Sequence, residues 1–287
     1  MPTAVLTFGF DPIAHPFGDL AVPWGVLALA GVLIVSLVLA GLLARAAGLR
    51  ADDLAFIAVG AVPGAVVGGR LGYGLIHWDY YGSTPGVLLD PAVGSLELGL
   101  GVLGGLLTAS YVCRLLGAPV GRWLHVATAP VLFALGAGKL TMVLTGTGQG
   151  APSDAPWATA YAGPGPWGSL APALSSQPSQ AYEGIASLVI LAGLTLVMLA
   201  GVFEKRDGRA LFVALGAWAV MRAVVAATWR DPAVALGLNV GALIGIGAVL
   251  VASVGFVWVV ALGPRRRLRA ERAAEVRWAD PEARSRL

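Results

Sequence analysis

The sequence predicts an all-α, polytopic membrane protein of seven transmembrane helices, and three observations predict it. The 287 residues are 57% hydrophobic and only 12% charged, where soluble domains carry roughly a quarter charged residues. Apolar runs of about 20 residues, the length that crosses a bilayer, recur seven times. Lys and Arg fall in alternate connecting loops, the asymmetry that sets orientation in a membrane.

The predicted spans are 22–47, 54–77, 96–116, 122–145, 180–203, 210–229 and 234–262. They are apolar all round and too long for strands, and the alternation of an outer-membrane barrel is absent. Gly60, Gly64 and Gly68 in the second span have the small-xxx-small spacing that lets helix backbones approach closely in lipid. Arg45 and Arg50 flank the first turn between spans, and Arg114 and Arg122 the third. Lys205, Arg206 and Arg209 fill the fifth, and Arg265, Arg266, Arg267 and Arg269 follow the last span. Loops 78–95 and 146–179 contain neither Lys nor Arg, and Arg230 alone breaks the pattern. The N-terminus is therefore expected outside and the C-terminus in the cytoplasm. The expected organisation is one transmembrane domain over 1–263 and a basic cytoplasmic tail over 264–287, which either lies as a helix on anionic headgroups or is simply solvated. Residues 1–20 lack the basic start of a cleavable signal peptide.

The outside loop 146–179 is rich in Gly, Pro, Ser and Trp, a length and composition that go with function or disorder. Trp157, Tyr161 and Trp167 are expected at the membrane interface. The single cysteine, Cys113, excludes an internal disulfide and a cysteine-based metal cluster and reads as a packing residue. His125 is read as interfacial, and Asn239 as an intramembrane residue bonding between helices. No role is read for His15.

Five charged residues remain inside the spans: Arg70, Glu97, Lys139, Glu183 and Arg222. A charge at mid-bilayer costs about 2.5–3.5 kcal/mol on insertion scales, so such residues face the bundle interior and mark function. With alternating spans, all five come to the outer side. One polar cavity there, with three cations against two carboxylates, is expected to suit an anionic group such as a phospholipid phosphate. The opposing expectation is a set of ion pairs that only holds helices together. Glu97 is read as interfacial and outside the site.

Several motifs then resemble one family. "GGRLGY", Gly68–Tyr73, resembles the GGRxGY segment of bacterial prolipoprotein diacylglyceryl transferases, and "QPSQAYEG", 177–184, their HPSQxYE segment before the fifth span. "GAPSDAPWATAY", from Gly150 to Tyr161, is similar to the stretch after the family signature, and "GAGKL", from Gly136 to Leu140, to the start of that signature. Arg222 matches a sixth-span arginine. The resemblance covers residues 22–262 in matching order.

The resemblance implies transfer of the diacylglyceryl group of phosphatidylglycerol to the lipobox cysteine thiol of a preprolipoprotein, at the outer face of the bacterial cytoplasmic (inner) membrane. It implies Arg222, Lys139 and Glu183 as catalytic residues. It implies Arg70, Lys139, Arg222, Tyr73, Gln177, Ser179, Gln180, Tyr182 and Gly150 as lipid- or phosphate-binding residues. It implies no metal, no cofactor and no nucleic-acid partner; the partners are phosphatidylglycerol, the lipobox peptide and membrane lipid.

This chain departs from the family pattern where chemistry is expected. Lys139 replaces the signature arginine, and Thr141, Met142, Thr145 and Thr147 replace a glycine, two asparagines and a glutamate. Leu103 stands where the family has a histidine, Gln177 replaces the histidine of HPSQ, Trp218 a tyrosine and Ala226 a carboxylate, and Arg230 lies one residue late. His77 is the one histidine at the level of the cavity, and Glu183 is a second candidate base. Ser179 is also read as a helix N-cap. A divergent transferase and a catalytically silent relative that binds phospholipid or lipoprotein both fit; a transporter fits less well, since no inverted repeat is evident and the charges lie to one side of the midplane.

Overall fold

The computed structural model describes residues 6–90 and 93–279. Its frame is eight α-helices, seven of them long and apolar enough to cross a membrane. In chain order these are α1 (Trp24–Ala46), α2 (Asp53–Ile76), α4 (Leu98–Leu115), α5 (Val120–Thr141), α6 (Ser179–Leu199), α7 (Arg209–Val225) and α8 (Val240–Ala279). The short α3 (Trp78–Tyr81) sits in the loop after α2. Among the described residues there is no closed sheet: the strands form three two-stranded pairs in the loops. Large apolar side chains face outward along the bundle, with Val59 72%, Leu107 73% and Leu199 79% exposed, which only lipid makes favourable.

The second and third spans, α2 and α4, are the most closely packed. A Cβ on Gly64 would collide with the Gly104 carbonyl, one on Gly68 with the Leu100 carbonyl, and one on Gly60 with Val112. The glycine stripe is thus used for backbone contact, as its spacing predicts. A second core joins α5, α6, α7 and α8 around Leu132, Leu135, Leu194, Trp218 and Ala248, with Leu103 of α4 packed against it.

The loops between spans are more structured than their composition implies. β1 (Leu6–Phe8) pairs in parallel with β4 (Thr159–Tyr161), tying the N-terminal segment to the 146–179 loop. Tyr161, expected at the interface, is instead buried: its ring stacks on Phe8 at 5.1 Å and tilts against Trp167 at 4.8 Å. Trp157 is exposed. β2 (Ile13–Phe17) and β3 (Leu20–Pro23) form an antiparallel pair that leads directly into α1.

The last span starts later than predicted. Residues 233–239 are not helical but form an antiparallel hairpin, β5 (Ala233–Ala235) with β6 (Leu238–Asn239). Leu236 and Gly237 at its tip have φ of 52° and 73°, a turn that apolarity alone does not reveal. Asn239 therefore precedes the helix. Its side chain accepts from Ala242 N–H at 2.8 Å and donates to the Ala226 carbonyl at 2.7 Å, capping α8 and tying it to the end of α7. α8 continues past the expected boundary at 263 as far as Ala279, and the remainder of the 264–287 tail lies outside the described residues.

Candidate active site

The site forms at one end of the bundle, where α2, α5 and α7 finish and α4 and α6 begin. Four of the five intramembrane charges meet there. Arg222 near the end of α7 donates from Nη1 to Oε1 of Glu183 at 2.5 Å and from Nη2 to Oε1 of Glu97 at 2.6 Å. Lys139 near the end of α5 places Nζ 2.9 Å from Oε2 of Glu183, an ion-pair contact that lacks hydrogen-bond alignment. The side chains are 3% exposed for Arg222, 1% for each carboxylate and 15% for Lys139, so only the lysine reaches partly into open space.

Glu97, expected at the interface, is thus a full member of the cluster. It is also the N-cap of α4, accepting from the N–H groups of Gly99 at 2.6 Å and Leu100 at 2.7 Å. The helix N-terminus favours its negative charge, and Gly72 of α2 leaves room for it, since a Cβ there would lie 2.7 Å from its Oε2. The sequence signal was a Glu placed directly before an apolar run.

Arg70 does not join the cluster. Its guanidinium donates to the carbonyls of Leu88 and Val93 at 2.8 Å each, of Asp90 at 2.5 Å and of Ser95 at 3.4 Å. It pins the 78–95 loop to the end of α2. Without Arg70 the quartet is two cations against two carboxylates, so the expected cationic surplus is absent from it. Interhelical ion pairing is realised.

The quartet borders a cavity of about 330 Å³, which Tyr73, His77, Gln180, Trp229 and Arg230 also line. The Arg222 guanidinium lies 4.8 Å from the Trp229 ring centre and 5.6 Å from that of Trp218, within cation–π range. Besides Oε2 of Glu183, three buried polar atoms around it have no hydrogen-bond partner: Nε of Arg222, Oε1 of Gln180 and Nε1 of Trp218. Buried polar groups are ordinarily satisfied, and unsatisfied ones beside a cavity are places where a ligand or water gains most. Among the described residues no group of three His, Cys, Asp or Glu gathers as a metal site.

The other predicted site residues divide. Tyr73 and Gln180 line the cavity; Gln180 Nε2 donates to the Tyr161 hydroxyl at 3.2 Å. Burial pushes the Tyr161 phenol up to about 12. Gln177, Ser179, Tyr182 and Gly150 instead build the wall behind it. Tyr182 donates to Oε1 of Gln177 at 2.6 Å, Trp157 Nε1 donates to the Tyr182 hydroxyl at 2.6 Å, and Gln177 Nε2 donates to Ser153 Oγ at 2.8 Å. Ser179 is not a side-chain N-cap: its hydroxyl lies 2.6 Å from that of Thr228, which joins α6 to the end of α7. Gly150 is required as glycine because a Cβ would strike Ser179 Oγ and the Thr228 carbonyl.

Arg230, the cation that broke the charge pattern, closes this wall. It donates to the Gly150 carbonyl at 2.7 Å and to Ser176 Oγ at 2.9 Å, both on the 146–179 loop. Leu103 lies in the apolar core below the site and supplies no titrating group. His77 borders the cavity, exposed, with its ring stacked on Tyr73 at 4.2 Å.

Comparison with known proteins fits this arrangement. A sequence model of the prolipoprotein diacylglyceryl transferase family matches residues 12–258, a stretch that includes every residue of the quartet. The chain belongs to this family. Similar proteins named phosphatidylglycerol–prolipoprotein diacylglyceryl transferase come from Geobacter sulfurreducens (30% identical, covering 80% of this chain and 86% of the relative), Nitrobacter winogradskyi (29%, covering 84% and 86%) and Rhizobium leguminosarum (31%, covering 96% and 99%). The chain is thus a multi-pass membrane protein of a transferase family in lipoprotein biosynthesis that acts with phosphatidylglycerol.

Proposed function

We propose that this chain transfers the diacylglyceryl group of phosphatidylglycerol to the lipobox cysteine thiol of preprolipoproteins. In this reading the N-terminus is outside, the C-terminal tail 264–287 follows a single membrane domain, and the cavity opens to the outer leaflet of the bacterial cytoplasmic membrane. The observation that carries the reading is the buried quartet beside the cavity, in a chain of this family: two cations poised at a space large enough for a headgroup, with Glu183 between them.

The chemistry proposed for it is as follows. The thiolate is the nucleophile, so a base must take the thiol proton. Glu183 takes it. The sulfur bonds to the glyceryl carbon that carries the phosphate, the carbon–oxygen bond breaks with its electron pair on oxygen, and glycerol phosphate leaves. Protonation of Glu183 removes the charge that Lys139 and Arg222 were neutralising. Both cations then become available to the leaving phosphate as its charge grows, which is electrostatic stabilisation aimed at the transition state. Arg222 supplies two donors in a planar fork, whereas Lys139 acts as a point charge. Arg70 acts indirectly here, by holding the 78–95 loop beside the cavity mouth.

A second reading, a silent relative that binds phospholipid or lipoprotein, is favoured by Leu103, packed in the core where the family resemblance places a histidine. One experiment decides between them. The purified chain is reconstituted in phosphatidylglycerol vesicles with a lipobox peptide, and the peptide is weighed by mass spectrometry for a thioether-linked diacylglycerol. Product from the native chain, lost in Arg222→Ala, supports the transferase. Product only from the Leu103→His, Lys139→Arg double variant establishes the silent relative.

A further inference from the structure

A second crevice lies at the opposite end of the bundle from the quartet. Its volume is about 170 Å³, and its walls come from the end of α1 (Leu43, Ala46, Ala47), the start of α5 (Val126, Ala129) and Met198 of α6. These walls are apolar. Two polar groups complete it: His125 of α5 and Arg206 of the α6–α7 loop.

Arg206 is exposed at the rim and His125 is half-buried. Nδ1 of His125 is buried and has no hydrogen-bond partner. The Arg206 guanidinium has no ion-pair or hydrogen-bond partner among the described residues, although its main chain is held at a φ of 45°. That left-handed conformation is unfavourable for any residue with a Cβ and persists where surroundings or function require it. The neighbouring charges are otherwise engaged or exposed. Asp207, the nearest carboxylate in sequence, pairs with Arg209 at 2.9 Å. Arg122 donates to the Ala47 carbonyl. Glu204 lies against Gly201, and Arg45 and Lys205 are exposed at the same end.

We propose that this crevice binds the phosphate of an anionic phospholipid from the leaflet opposite the active site. Apolar walls, an unpaired guanidinium at the rim and a buried imidazole nitrogen without a partner together match a phosphodiester carrying acyl chains. Arg206 forks onto two phosphate oxygens and His125 donates a third bond. Basic pockets between helices at the membrane surface recognise lipid headgroups by this chemistry. The site is separate from the quartet, shares no residue with it and does not depend on the chain's being an active transferase.

The test is native mass spectrometry of the detergent-purified full chain, titrated with short-chain phosphatidic acid, with phosphatidylcholine of the same chains, or with inorganic phosphate. The native chain is expected to hold a phosphatidic acid that Arg206→Gly holds about tenfold or more weakly, the factor for one lost charge-assisted contact, and that Ala129→Leu, which fills the crevice, also holds more weakly. Arg206→Gly suits the observed φ, so its thermal unfolding temperature is expected to be unchanged or higher, which separates lost binding from misfolding. Equal retention by native and Arg206→Gly chains, or equal binding of phosphatidylcholine, would each overturn the proposal. Displacement by inorganic phosphate at matching concentration would reduce the crevice to an anion site and overturn it also.

Discussion

Glu97 and Arg222 lie on different helices, and the quartet requires their effects on stability to be strongly non-additive. The Nη2–Oε1 distance is 2.6 Å, with the side chains 3% and 1% exposed. Breaking a buried pair by removing one partner costs about 3–5 kcal/mol, because the other charge is left uncompensated. Glu97→Gln leaves two cations facing one carboxylate; Arg222→Met leaves one cation facing two. Each single variant is therefore expected to lose about 3–5 kcal/mol. The double variant leaves Lys139 and Glu183 as a balanced pair. It is expected to lose no more than either single variant, a coupling of about 3 kcal/mol. The assay is thermal unfolding in detergent followed by tryptophan fluorescence. About 2–4 °C per kcal/mol in a chain of this size gives a drop of roughly 10 °C for each single variant and a similar drop for the double. A double variant whose drop equals the sum of the two singles would show that the four charges do not act as one group.

Other consequences are more local. Gly64→Ala puts a Cβ onto the Gly104 carbonyl where α2 meets α4, so a loss of about 1–3 kcal/mol is expected from overpacking, measurable in the same unfolding assay. Arg230→Ala removes the bonds from Arg230 to Gly150, Gln149 and Ser176 that help hold the 146–179 loop at the cavity wall; limited proteolysis is expected to cut that loop faster while the spans stay folded. The Tyr161 phenol, raised by burial from an ordinary 10 to about 12, makes its contribution to stability fully below about pH 10. That contribution is lost as pH rises toward 12, because the folded chain resists the charged form. Tyr161→Phe is expected to flatten the unfolding profile over that alkaline window, read by unfolding temperature against pH.

Much of the frame could be read from the residues. Each apolar run became a spanning helix because nothing but lipid or another helix can cover such a segment, and the Gly60–Gly64–Gly68 stripe marked the closest helix contact. The start of the seventh span was misplaced because Ala233–Asn239 is as apolar as a span, and only the positive φ at Leu236 and Gly237 makes it a hairpin. The depth of the intramembrane charges was legible from alternating span direction, but depth fixes a level and not an azimuth. Arg70 lies at the right level and turns toward a loop, while Glu97 turns inward. Arg230 was visible as an exception to the charge pattern and as an arginine one residue late of its place in the family resemblance. The wall of Gln177, Ser179 and Tyr182 was visible as polar residues at a span's mouth and as a segment resembling the family's HPSQxYE. What each touches depends on loop residues distant in sequence, such as Ser153 and Thr228, and no periodicity reports that.

The opening motif of α6 has a physical explanation in these contacts. Its polar groups do not meet lipid: Gln177 and Tyr182 face the loop, Ser179 faces Thr228, and Glu183 faces two cations. A span can begin with such residues because a loop and two helix ends cover them.

The most direct measurement is an experimental structure of the chain with phosphatidylglycerol bound. Phosphate density is expected in the cavity within hydrogen-bond reach of Lys139 Nζ and the Arg222 guanidinium, with the acyl chains leaving between helices. Phosphate density elsewhere, with the Lys139–Glu183 and Arg222–Glu97 pairs intact and the cavity without lipid, would contradict that placement.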